Sequence, residues 1–383
     1  MRDTTDSTTR TRRPTTAAPI LLVAIAAVLA PMTLLPGHLT HAFSPPPPPT
    51  ISGYRGNTVG NEITRRRRLT TPQQLRYNNY GTAPFLMSSV ACSEGKIKVS
   101  RDTSSSSSSS QQQQFTMHHR IFRPMSLSSR QAAPILVLHG GPSVPSDYLY
   151  PLVDHIPYRS IVFYDQLGCG RSDEPADRDM YSIDLALDDL ELVIKKLNLR
   201  RFHLYGQSFG GILAYEYLKR VAERADTEEA YECLSVVLSS TPTSVALVET
   251  EANRLVALLK DEDNDESTLL ERFRRRHQCQ TDEMPKPLSD AYAHAGTVFR
   301  GTAVISDYVA TPPSTDALRM PSAMIMRGEA DFVSEECASA WKKELFNHNF
   351  VREKVLKGCS HHGLLENGVE YGELVDSFFA EYD

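Results

Sequence analysis

The sequence predicts an α/β fold, a mostly parallel sheet led by an antiparallel hairpin and interrupted late by a helical insertion. Three observations predict it. Short apolar runs alternate with helical segments from residue 135 onward, two alternating segments precede them across a polar spacer, and residues 243–318 break the alternation.

Gly95–Ser100 places Ile97 and Val99 two apart, as a half-buried strand does, and Phe115–Phe122 is its hairpin partner. Between them, Ser104–Gln114 is seven serines followed by four glutamines, expected as a surface loop whose length adds little closure entropy. Ile135–Leu138, Ile161–Tyr164, Phe202–Tyr205, Leu234–Leu238 and Ala323–Met326 read as parallel strands buried on both faces. Phe350–Leu356 is the last strand-like run. Ser182–Leu197 carries apolar residues at 190, 193, 194 and 197, a helical period, with Asp184 placed well near its N-terminus. Residues 243–318 read as helices over Glu249–Leu259, Leu269–His277 and Pro285–Tyr292, with a solvated acidic turn at Asp261–Glu266. Such an insertion is expected to cap the sheet's carboxyl edge, excluding water and choosing substrates. The core is thus expected at 93–242 and 319–383, with the cap at 243–318.

The first 92 residues are of another kind. Residues 1–42 hold Arg10, Arg12 and Arg13, the apolar stretch Ala17–Leu35 and the end Thr40-His41-Ala42, the order of a signal peptide. The stretch approaches the length of a membrane span, but Pro19, Pro31 and Pro36-Gly37 favour a cleaved segment and no stable membrane association after its removal. Residues 43–92 contain Pro45–Pro49, the run Arg65–Arg68 and Glu62 as their one acid, a composition that buries no core. Ten arginines and three acids give residues 1–92 a net of +7, so the total of −6 leaves −13 on the remainder. An acidic body argues against nucleic acid as a partner. The six cysteines are widely spaced without a C-x-x-C pair, so neither a metal site nor a cofactor is expected, and a chain this long needs no disulfides.

Ala42-Phe43 followed by this basic, acid-poor stretch resembles the bipartite plastid-targeting leaders of diatoms and related algae. That resemblance implies a plastid destination in an alga with secondary plastids, the alternative being secretion or an endomembrane lumen. A reporter fused to residues 1–92 would overturn it by appearing outside the cell.

Chemistry concentrates at Ser208, in Gly206-Gln207-Ser208-Phe209-Gly210-Gly211. A G-x-S-x-G run between a strand and the helical Ile212–Leu218 is a nucleophile elbow, which stands a hydroxyl above the sheet at a helix N-terminus. A serine nucleophile needs a base, and the base an orienting acid, in the chain order Ser, Asp or Glu, His. Asp331 follows a strand in Arg327-Gly328-Glu329-Ala330-Asp331, and His361 follows the last strand in Gly358-Cys359-Ser360-His361-His362. Their rivals are Glu329 and His362. Leu138-His139-Gly140-Gly141-Pro142 after the first parallel strand is placed to give the Gly141 amide to an oxyanion, with Phe209 as second donor. Asp165-Gln166-Leu167-Gly168-Cys169-Gly170-Arg171-Ser172 lacks a P-loop lysine, so Asp165 or Arg171 is expected to brace the oxyanion loop.

His139 to Pro142, Asp165 to Ser172, the elbow, Gly328 to Asp331 and Ser360-His361 together resemble the proline iminopeptidase family of α/β hydrolases. The stretch Thr243-Ser244-Val245 to Asn253-Arg254-Leu255 is similar to the start of that family's cap. The resemblance covers residues 93–383 and implies release of an N-terminal residue, usually proline, from short peptides through an acyl-enzyme. It also implies a cap over the substrate's amino end. Ser143 stands where the family has glycine after His-Gly-Gly-Pro. Phe332 stands where it commonly has a glutamate for the substrate's ammonium, and the Gly296 to Ser306 region offers Arg300 and no acid. Glu249 or Glu251 would then have to substitute. The alternatives are a carboxylesterase or small-molecule amidase with the same triad, and a non-catalytic ligand-binding protein of this fold.

Overall fold

The inner strands of the parallel set carry short apolar runs because they are covered on both faces, whereas Val351–Leu356 at the sheet's edge is mostly exposed. In β3 (Ile135–Leu138), Leu136 and Leu138 enter one core cluster while Ile135 and Val137 enter the other, and all four are buried. The computed structural model describes residues 90–103, 111–125, 132–224, 231–260, 268–314, 320–346 and 351–383. The serine run, the acidic turn and the leader up to residue 89 lie outside the described residues, while Val90–Cys92, expected to end the leader, instead open the first strand through pairing with Phe122–Pro124.

The hairpin is β1 (Val90–Thr103) and β2 (Gln111–Pro124), antiparallel in one unbroken register. It is longer than the sequence suggests. Gln111–Gln114, expected in the connecting loop, instead extend β2 opposite Ser100–Thr103, since a polar strand end at a sheet margin keeps its backbone bonds without burying side chains.

After β3 come α1 (Leu152–His155), β4 (Ile161–Tyr164), α2 (Ile183–Lys196), β5 (Arg201–Gln207), α3 (Phe209–Glu223) and β6 (Glu232–Ser239). Ser182 caps α2, its side chain accepting from Leu185 N at 3.1 Å. The insertion follows β6 and holds α4 (Val245–Lys260), α5 (Leu269–Phe273) and α6 (Lys286–Ala293). The basic helix expected over Leu269–His277 is α5 continued by a wider π turn, Arg274–Gln278, which Glu271 holds through ion pairs to Arg274 and Arg275 at 2.8 Å. The chain returns through β7 (Ser322–Gly328), α7 (Glu335–Ala338), β8 (Val351–Leu356), α8 (Gly363–Glu366) and α9 (Gly368–Ala380).

The eight strands run β1-β2-β4-β3-β5-β6-β7-β8, parallel from β4 to β8. Strand order reverses around β3, so the loops after β3, β5, β7 and β8 meet beyond the carboxyl edge, where parallel sheets place their sites. All six cysteines are free thiols. Among the described residues no helix is long and apolar enough to cross a membrane.

Candidate active site

The turn from β5 to α3 is one residue long, and that residue is Ser208. It holds φ 54° and ψ −119°, a conformation that costs a non-glycine residue on the order of 1–3 kcal/mol. So tight a turn needs bare neighbours. A Cβ on Gly206 would strike the Gly210 carbonyl, and one on Gly210 the Leu138 carbonyl. Ser208 N is anchored to Ser239 O at 2.9 Å, which fixes the elbow to β6.

The loop after β7 carries Asp331 and the loop after β8 carries His361. His361 Nδ1 lies 2.9 Å from Asp331 Oδ1, with both residues buried. The same oxygen accepts Val333 N at 2.8 Å, while Oδ2 is buried without a hydrogen-bond partner. An ionised carboxylate only accepts, so Nδ1 carries the hydrogen and Nε2 is left as the basic nitrogen. Ser208 and His361 line one cavity of about 90 Å³. No hydrogen bond joins the hydroxyl to the ring among the described residues. Unliganded sites commonly hold this bond long, and it tightens around substrate.

The rivals are placed elsewhere. Glu329 accepts Gly358 N at 3.1 Å at an exposed edge. His362 is buried with its ring edge-on to Tyr148 at 5.3 Å, and burial, with His361 adjoining, holds its pKa well below the ordinary value. Phe332 stacks on the His361 ring, centroids 4.1 Å apart at 26°. It shields the imidazole from solvent and offers a π face to an imidazolium.

Gly141 and Phe209 line the same cavity. Phe209 opens α3, so its amide has no intrahelical partner. Gly140, which leads into Gly141, is held at both its amide and its carbonyl. Gly140 N donates to Tyr148 Oη at 2.7 Å, and His139 Nδ1 lies 3.0 Å from Gly140 O. Gln166 N donates to His139 Nε2 at 2.9 Å, which assigns the hydrogen to Nδ1, and burial lowers the His139 pKa so the ring stays neutral. Tyr148 Oη in turn donates to Gln207 Oε1 at 2.7 Å, tying the oxyanion loop to the residue before Ser208.

Asp165 joins two loops: Oδ1 accepts Ser146 N and Oδ2 accepts Arg171 N, each at 3.1 Å. Arg171 enters this brace through its backbone amide while its side chain is exposed. Ser143 sits at φ 65°, a left-handed position that favours glycine, which explains a glycine preference at this site. Its hydroxyl bonds the Phe299 carbonyl and its carbonyl accepts Gly296 N at 2.9 Å, so the serine trades strain for contacts with the inserted segment.

Val245, Val248, Phe273, Gln278, Tyr292 and Ile305 supply the cap side of the cavity. Neither Glu249 nor Glu251 lines it, and Glu251 is paired with Arg254 at 2.7 Å. Among the described residues no Asp, Glu, Lys or Arg lines it. Sequence reasoning missed Tyr148, Gln278 and Tyr292, which carry no motif and come together only through the packing of a short 3-10 turn, the π turn and α6. Gln207 was within the elbow motif, but its bond to Tyr148 had no linear signal.

The model of the alpha/beta hydrolase family matches residues 135–374, from β3 into α9. The chain belongs to the alpha/beta hydrolase family. This hydrolase-family chain is 27% identical over 275 residues to the proline iminopeptidase of Saccharolobus solfataricus, covering 64% of this chain and 84% of that enzyme. It is 29% identical over 281 residues to the proline iminopeptidase of Lactobacillus delbrueckii subsp. bulgaricus, covering 66% and 91%. In fold it is similar to the proline iminopeptidase of Mycobacterium smegmatis, with TM-score 0.58 and 21% identity over 74% of this chain and 98% of that one.

Proposed function

We propose that this alpha/beta hydrolase is a serine hydrolase that releases an N-terminal residue, proline favoured, from short peptides and related small amides. The observation that supports it most is a buried imidazole, oriented by Asp331, in a cavity that Ser208, Gly141 and Phe209 also line. As Ser208 Oγ attacks the carbonyl, His361 Nε2 takes its proton, and the two amides receive the oxyanion. Losing one such donor typically costs about 2.7–4 kcal/mol of transition-state stabilisation. The imidazolium then protonates the leaving amine. Water, deprotonated by the same ring, hydrolyses the acyl-enzyme.

The choice of an N-terminal residue is supported by the curated relatives, and a cavity of about 90 Å³ with aromatic walls suits a small ring. A second reading, a carboxylesterase or small-molecule amidase, is favoured by the uncharged lining and by Phe332 beside Asp331. Prolyl and alanyl arylamides compared with short acyl esters in steady-state assays separate the two. Turnover of prolyl arylamide is expected; turnover of esters alone would install the second reading.

A further inference from the structure

Gln278 is 5% exposed and lines the cavity shared by Ser208 and His361. Its Nε2 donates to Tyr292 Oη at 2.6 Å, while its Oε1 is buried without any hydrogen-bond partner. Leaving a buried carbonyl oxygen unpaired is unfavourable, and a ligand that brings an N–H to it relieves the penalty. The residue is also fixed close to the chemistry. His361 N donates to His277 O at 3.3 Å and His362 N to Gln278 O at 3.1 Å, so the π turn is docked on the base loop.

Nearby charge disfavours a cationic ligand group. Arg300, next to Tyr292, has a guanidinium nitrogen buried without a partner, and burial lowers its pKa. No carboxylate lines the cavity among the described residues to answer a cationic group.

Resting on the proposed hydrolase, we infer that Gln278 Oε1 is the specificity acceptor for an N–H borne by the acyl group, the α-nitrogen of the substrate's N-terminal residue. Tyr292 holds the amide in the accepting orientation. A carboxylate does this work by charge; here a fixed dipole does it by direction.

The test compares L-prolyl 4-nitroanilide with cyclopentanecarbonyl 4-nitroanilide, which has the same ring size and no N–H, on wild type, Gln278→Leu and Gln278→Glu. Wild type is expected to prefer the prolyl compound. Gln278→Leu should lower kcat/KM for it by about 10- to 100-fold more than for the carbocyclic compound. Gln278→Glu, still an acceptor, should keep or raise the preference. Equal losses on both compounds in Gln278→Leu, no loss on either, or a lost preference in Gln278→Glu would overturn the assignment. Labelling of Ser208 by a fluorophosphonate tells this failure from the other. An unlabelled serine in folded wild type, with neither compound cleaved, condemns the hydrolase reading itself, whereas a labelled serine with no prolyl preference condemns only Gln278.

Discussion

Replacing Ser208 with alanine is expected to lower kcat on the order of 10⁶-fold while the protein stays folded. The alanine inherits the same φ of 54° and removes one hydroxyl, so the elbow's backbone and its anchor to Ser239 O are kept. The size follows from how such groups act: the nucleophile and its base form one device, and losing either costs about as much as losing both. His361→Gln should therefore fall about as far as Ser208→Ala, and the double variant no further. Residual hydrolysis on the order of 10³–10⁴ over water should survive from the amides and the cavity. Steady-state kcat on an arylamide, with a thermal melt as control, measures this. A Ser208→Ala enzyme at wild-type rate would end the proposal.

Asp331→Asn is the second large effect, expected to cost about 10⁴-fold in kcat, with some loss of stability where the amide's N–H meets the Val333 N–H. The carboxylate accepts from His361 Nδ1 and Val333 N. An amide is similar in shape but can turn its N–H toward Nδ1. The ring would then place its hydrogen on Nε2, the atom that must take the serine's proton. The matched control is Glu329→Gln, which should stay within about twofold, because Glu329 bonds an exposed Gly358 amide away from the cavity. The two variants separate the acids that the sequence left as rivals. Equal losses in both would mean that the measured effect is structural.

Much of this arrangement was legible in the chain because it is encoded locally. β3, β4, β5 and β7 are apolar runs within a few residues of their expected ends, since burial on both faces demands an unbroken run. The elbow was legible because close backbone packing at Gly206 and Gly210 admits no other residue. The hairpin's length was not, because Gln111–Gln114 carry no apolar alternation and are strand only through their partners Ser100–Thr103. Nor was the end of the basic cap helix, where Arg274–Gln278 widens into a π turn as its backbone docks on the base loop.

The sequence by itself determined the α/β alternation, the elbow at Ser208 and the order in which acid and base follow it. Those depend on periodicity and on glycine at fixed offsets, properties of neighbours along the chain. Tertiary structure alone decided that Asp331 and not Glu329 meets His361, that Tyr148 and His139 grip the Gly140 peptide, and that Phe332 covers the imidazole. It also decided that Gln278, whose side-chain oxygen is buried without a partner, lines the cavity. Asp331 and Phe332 reach His361 across about thirty positions, and Gln278 reaches the cavity of Ser208 across seventy. A hydrogen bond at that separation is set by how loops pack over a sheet edge, and no local pattern records it.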